Sequence, residues 1–307
     1  MILDFNKDLS SLKLYANGNE LASVMGQDKD EKGKRIYEHP ISKKEYIATF
    51  DNPVLVTDFY KISKLDPVIR DTVFMLFSQP IKITEYNGVS LEFEQKKYPG
   101  VWGPSIDTLL FCRGLDEIDL SGVKKALEVG IGSGFISKYL LEKNSNIEQM
   151  TLIDLNKFAL DCASFNIKDT RAKFFIGDAI DFIEGKKYDL IVCNPPYISR
   201  PKSIDDNPYE GLQLLSYLIL NAKNLLNKNG KLIVNISSLG EKIINKVIEE
   251  AGINVNKVDF MEVPLKVFNV LNNKEWMEYL KNEKGLIENE HDGYKYWHII
   301  SIMECTI

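Results

Sequence analysis

Leu127-Glu128-Val129-Gly130-Ile131-Gly132-Ser133-Gly134 decides how this chain is read. The run Lys125-Ala-Leu-Glu-Val129 has the composition of a strand, and the stretch beyond Gly134 keeps helical spacing through about Glu142. A glycine loop between a strand and a helix lets backbone approach a ligand closely, because no Cβ intervenes. A tight turn without a ligand would use the same residues, so the loop takes its meaning from what surrounds it.

Further along the chain, Gln149–Asp154 is the next strand and Lys157–Asn166 the next helix. Lys173–Ile176, Tyr188–Cys193 and Lys231–Ile236 follow as strands, each separated by helical spacing. This rhythm predicts an α/β, Rossmann-like fold, a mostly parallel sheet with helices on both faces. Asn256–Val263 and Tyr296–Met303 read as two late strands. Between them, an insertion over 264–294 places Trp276, Tyr279 and Leu280 on one face of a short helix.

Toward the start of the chain the pattern changes. Apolar residues at 69, 73, 76 and 77 give Val68–Phe77 a helical face that Pro80 ends. Asn17-Gly18 and Asn87-Gly88 sit between β-prone runs and predict hairpin turns. The charged stretch Gly26–Arg35 reads as a solvated loop. The expected organisation is a mixed accessory, substrate-recognition domain over 1–79, a hairpin and connecting segment over 80–115, and a catalytic domain over 116–307.

Composition narrows the class. The chain has 307 residues, 44% hydrophobic and 27% charged, as in soluble globular proteins. No apolar run approaches the roughly 18 residues that span a bilayer, and the first residues lack the features of a signal peptide. Cys112, Cys162, Cys193 and Cys305 form no CxxC pair. They are expected as buried free thiols in a reducing cytoplasm, with no metal. Net charge is −6, of which residues 1–115 carry −1 and the remainder −5. Neither part has the basic excess with which proteins hold long nucleic acids by their phosphates.

The loop's details select a cofactor. The dinucleotide fingerprint needs a small residue where Phe135 stands, and it binds pyrophosphate at the helix N-terminus. Gly130-x-Gly132-x-Gly134 preceded by Glu128 departs from it. S-adenosylmethionine (SAM) has no phosphate; its ammonium and sulfonium call for acceptors and carboxylates. Asp154, ending the second strand, is suited to accept from both ribose hydroxyls. Asp178, after Gly177 at the end of the third, either accepts from the adenine amino group or caps the next helix. Three acidic strand ends in a parallel sheet predict a SAM site outside the carboxyl edge.

Asn194-Pro195-Pro196-Tyr197 follows the fourth strand. The Asn194 side-chain oxygen and the Pro195 carbonyl offer two acceptors for one NH2 group. Such a group on an amide or aromatic ring has a delocalised lone pair and is a poor nucleophile, so holding both hydrogens to aim the nitrogen is a large source of rate. The two prolines stiffen the turn. Tyr197 offers a π-face to the planar group and to the cationic sulfonium. No general base is evident, and proton loss to water suffices once the nitrogen is alkylated.

These motifs resemble class I SAM-dependent methyltransferases, and among them the HemK-type protein-glutamine N5-methyltransferases. The resemblance covers roughly residues 85–303. It rests on Leu127–Gly134, Asp154, Gly177-Asp178, Asn194–Ile198, Glu85–Phe93 with Val101–Thr108, and Tyr209-Glu-Gly-Leu212. It implies a seven-stranded sheet and assigns Pro104, Asp107 and Thr108 to the cofactor cleft. Departures lie in residues 1–79, in Ser199–Asn207 and in the insertion around Trp276, where a macromolecular substrate would dock.

The expected activity is methyl transfer to a planar amide or amino nitrogen, with a protein glutamine favoured over a nucleobase. The alternatives are an RNA or DNA adenine or guanine amino-methyltransferase, with Arg200 and Lys202 as first phosphate contacts, a small-molecule N-methyltransferase, and a silent SAM-fold binding subunit. No feature of the sequence specifies an oligomeric state.

Overall fold

The computed structural model describes residues 82–94, 97–98, 100–204, 211–265, 267–271, 273–291 and 294–307. It also gives the backbone of three short strands, β1 (Ile2–Asp4), β2 (Lys34–Glu38) and β3 (Glu45–Thr49). Strands β2 and β3 pair antiparallel. Lys34 and Arg35, expected to close a solvated loop, therefore open a strand. The helix expected over Val68–Phe77 and the turn at Asn17-Gly18 lie outside the described residues.

Asn87 and Gly88 both have positive φ, 47° and 75°. That backbone matches the twist of a two-residue hairpin, and it joins β4 (Lys82–Tyr86) to β5 (Val89–Phe93) in antiparallel register, with β1 parallel along β4. Val89, Leu91 and Phe93 alternate inward and are buried.

Helix α1 (Ile106–Asp116) lies mostly in the segment read as a connection, and from β6 (Lys125–Val129) onward strands and helices alternate: α2 (Phe135–Lys143), β7 (Gln149–Asp154), α3 (Lys157–Asn166), β8 (Ala172–Ile176), α4 (Ala179–Ile183) and β9 (Tyr188–Cys193). The series continues with α5 (Gln213–Leu220), α6 (Ala222–Leu225), β10 (Leu226–Ser237), α7 (Glu241–Ala251) and β11 (Asn254–Pro264). The insertion holds α8 (Phe268–Leu271), α9 (Lys274–Asn282) and β12 (Ile287–His291), and β13 (Tyr294–Thr306) follows.

The main sheet runs β11-β13-β10-β9-β6-β7-β8, with β12 added along β13. Strands β6 to β10 are mutually parallel, and β13 is antiparallel to both neighbours. Strands covered on both faces need continuous apolar runs. In β9, Leu190 and Val192 join one core with helices α1, α2 and α3. Ile191 and Cys193 of the same strand join the other, with α5 to α7. A third, smaller cluster packs Trp276, Met277 and Leu280 of α9 on Leu239 and Leu265.

Side chains fasten the flanking pieces. Asn166 at the end of α3 accepts from Glu92 N at 3.0 Å and donates to Glu92 O at 2.9 Å, holding the hairpin as a further strand would. Arg113 of α1 grips both carboxylate oxygens of Asp259 in β11. All four cysteines are buried free thiols. No described helix is long and apolar enough to cross a membrane.

Candidate active site

Strand order runs outward in opposite directions from β6 and β9, and the crevice at such a switch point lies beyond their carboxyl ends. The loop after β6 is the glycine loop; the loop after β9 is the tetrapeptide.

All three loop glycines are left-handed, with φ of 71°, 50° and 85° at Gly130, Gly132 and Gly134. Each has its own surroundings. A β-carbon at Gly134 would lie 2.7 Å from that of Ala163, where α3 packs on the loop. One at Gly132 would lie 3.3 Å from the carbonyl oxygen of Trp102, while Gly130 borders open space. Gly130 N donates to Ile153 O at 2.9 Å, tying the loop to β7.

Asp154 is half-buried at the end of β7. One oxygen accepts from Gly132 N at 3.1 Å and the other from Asn156 N at 2.8 Å. Burial raises its pKa, opposed by the backbone N–H groups that bond the charged form. Glu128 has a different place. It is 2% exposed and accepts from Ser137 N at 3.0 Å and from the Ser137 hydroxyl. Burial pushes its pKa up to about 8. It ties the end of β6 to the first turn of α2, across the glycine loop. Asp178 is exposed and caps α4, accepting from Ile180 N at 2.7 Å; of its two expected roles the capping one is visible.

Around Asn194 several elements converge. Pro104 and Thr108 are buried at the start of α1, and Thr108 Oγ1 accepts from Ser105 N at 3.4 Å. Asp107 lies in the first turn of that helix, where the helix dipole favours a carboxylate. Its Oδ2 accepts from Asn194 Nδ2 and from the Tyr197 hydroxyl, each at 3.2 Å, and its Oδ1 from the Ser105 hydroxyl. Asp107 thus holds both ends of the tetrapeptide. Pro195 is buried between them, and Pro196 is half-buried. Arg200 packs over Gly211, and Lys202 is exposed.

Asn235 and His298 escaped the sequence reading, and the contact made by Trp276 did too. Asn235 of β10 donates to Asn194 Oδ1. His298 of β13 is 4% exposed, its Nδ1 is 2.8 Å from Ser237 Oγ, and its ring centroid lies 6.0 Å from that of Tyr197. Trp276, read only as one face of a helix, donates its indole N–H to Ser199 O at 2.7 Å. The available signal was a polar residue inside an apolar strand, as in Leu232-Ile-Val-Asn-Ile236.

These residues fit SAM. The cradle is open at Gly130, and the half-buried Asp154 carboxylate stands at the neighbouring strand end.

The methyltransferase small domain model matches residues 105–261, just over half of the chain. The chain belongs to this family. The ribosomal protein uL3 glutamine methyltransferase of Francisella tularensis is 32% identical over an alignment of 140 positions, with coverage of 39% of this chain and 43% of that protein. The release factor glutamine methyltransferase of Aquifex aeolicus is 28% identical over 192 residues, 57% of this chain and 67% of its own length. The chain thus spans under half of the first of these relatives. Among solved structures, the ribosomal protein L11 methylase of Lactobacillus delbrueckii subsp. bulgaricus has a TM-score of 0.43 at 15% identity, over 74% of this chain and 86% of that one. The methyltransferase domain here, with its β8-β7-β6-β9-β10-β13-β11 sheet, has the class I architecture that its motifs predicted.

Proposed function

We propose that this protein is a SAM-dependent N-methyltransferase whose acceptor is a glutamine side-chain amide of a protein. The observation that carries the reading is the fixed orientation of Asn194. Its NH2 end donates to a carboxylate and its oxygen receives an N–H, so the oxygen cannot exchange places with the nitrogen without setting oxygen against Asp107. Together with the backbone carbonyl of the following residue, Pro195, an oriented Asn194 oxygen would supply the two acceptors that a substrate NH2 group needs.

Bound SAM would supply the electrophilic methyl group, held by Asp154 and the glycine loop. Asn194 and Pro195 take the two amide hydrogens and turn the lone pair out of conjugation with its carbonyl, while Tyr197 covers one face of the planar group. The proton that leaves after alkylation passes to solvent. Glutamine methyltransferases among the relatives support an amide acceptor. Residues 1–79 and the 264–294 insertion supply contacts to the substrate protein in this reading.

Incubating the protein with methyl-labelled SAM and a lysate, followed by nuclease, protease and mass mapping, tests this. Label should survive nuclease and map to glutamine. Label lost on nuclease treatment would transfer the assignment to a nucleobase.

A further inference from the structure

Asn235 follows Val234, which pairs with Cys193 across β10 and β9, and this register sets it beside Asn194. Its strand neighbours Ile233, Val234 and Ile236 are apolar and buried, and Asn235 is fully buried too. Its Nδ2 donates to Asn194 Oδ1, while its own Oδ1 has no hydrogen-bond donor among the described residues. An apolar residue of the same shape would avoid a buried acceptor left unpaired. Stability therefore does not account for the side chain, and the one hydrogen bond it makes goes to the tetrapeptide.

Asn194 is gripped from two sides. Asp107 takes its NH2 end and Asn235 meets its oxygen. Turning the carboxamide over would face oxygen to carboxylate and NH2 to NH2. A carboxamide oxygen accepts two hydrogen bonds, so with one taken by Asn235 one lone pair is left for an incoming N–H. We propose that Asn235 is a positioning residue that fixes the Asn194 oxygen as an acceptor, an inference that rests on the assignment of Asn194 as the amide-binding group. Asn235 itself meets no reacting atom.

The test uses the full chain with Asn235→Leu and Asn235→Ala. Turnover should fall roughly tenfold or more, as for a misaligned acceptor, with SAM affinity by calorimetry unchanged. The Leu variant should melt no lower than the parent. In an Asn194→Ala background, either substitution should lower turnover no further, because the two act as one unit. In nuclear magnetic resonance spectra, the Asn194 side-chain amide should lose its protection from solvent exchange in the Asn235 variants. Unchanged turnover, or a loss additive with Asn194→Ala, overturns the proposal. If the parent chain labels no macromolecule, it is the acceptor assignment that fails, and the resonance measurement alone decides: an unaltered Asn194 amide in Asn235→Leu overturns the positioning role.

Discussion

The indole N–H of Trp276 donates to the backbone carbonyl of Ser199 at 2.7 Å, tying the inserted helix α9 to the chain two residues beyond Tyr197. Ser199 in turn donates its hydroxyl to Leu239 O, in the turn that follows β10. The insertion therefore braces the chain just beyond the Asn194–Tyr197 tetrapeptide.

Trp276→Phe keeps the ring in its cluster but removes the donor. A buried carbonyl left unpaired costs about 1–3 kcal/mol. Turnover should drop several-fold while SAM affinity holds. Turnover equal to the parent's in single-cycle kinetics would show that the brace does not bear on the tetrapeptide.

Asp154→Ala should weaken SAM binding by about 1.5–3 kcal/mol, roughly 10- to 150-fold. Part of that loss arises because the Gly132 and Asn156 N–H groups lose their acceptor. Calorimetry is the direct measurement, and an unaltered dissociation constant would remove Asp154 from the cofactor site.

Glu128 gives a pH signature. Its pKa is pushed from 4.5 up to about 8 by burial. Between those values the folded chain holds a proton that the unfolded chain has released. The stability tied to this group therefore falls as pH rises through the window and levels off above it. Glu128→Gln removes that dependence. The melting temperature of the Gln variant relative to the parent should climb from pH 5 to pH 8; a constant difference would contradict the shift.

Gly134→Ala and Gly130→Ala should separate two kinds of cost. Both positions have positive φ, worth roughly 1–2 kcal/mol against a side chain. Only Gly134 adds a collision, with the Ala163 β-carbon, which raises the total to about 3 kcal/mol or more. Thermal melts should rank Gly134→Ala well below Gly130→Ala. Equal losses would mean that α3 yields to the new methyl group.

The central parallel strands were legible because burial on both faces makes them mostly apolar, whereas β8, at the sheet edge, was legible from Phe174, Phe175 and Ile176 although the last two are exposed. The tetrapeptide was legible because Asn-Pro-Pro-Tyr has few structural uses. Strand β12, Ile287-Glu-Asn-Glu-His291, was not: it is mostly polar and pairs with the first residues of β13. Asn235 and His298 were missed for a different reason. Their partners Asn194 and Ser237 are 41 and 61 residues away, and only the register between strands brings each pair together. Asp107 was expected at the cofactor. Its bonds to Asn194 and Tyr197 follow from where α1 begins, which no local pattern encodes.

The place of β13 has a consequence for synthesis on the ribosome. β11 is made first but meets the sheet only through β13, which is translated later and slots between it and β10. Until Tyr294–Thr306 has emerged, β10 is an open edge, β11 has no strand to join, and His298 has not reached Tyr197. Open edges of this kind recruit foreign strands. The nascent chain thus passes through a stage with its glycine loop complete and Tyr197 still without His298 beside it, and a ribosome stalled there would display an open, sticky sheet edge.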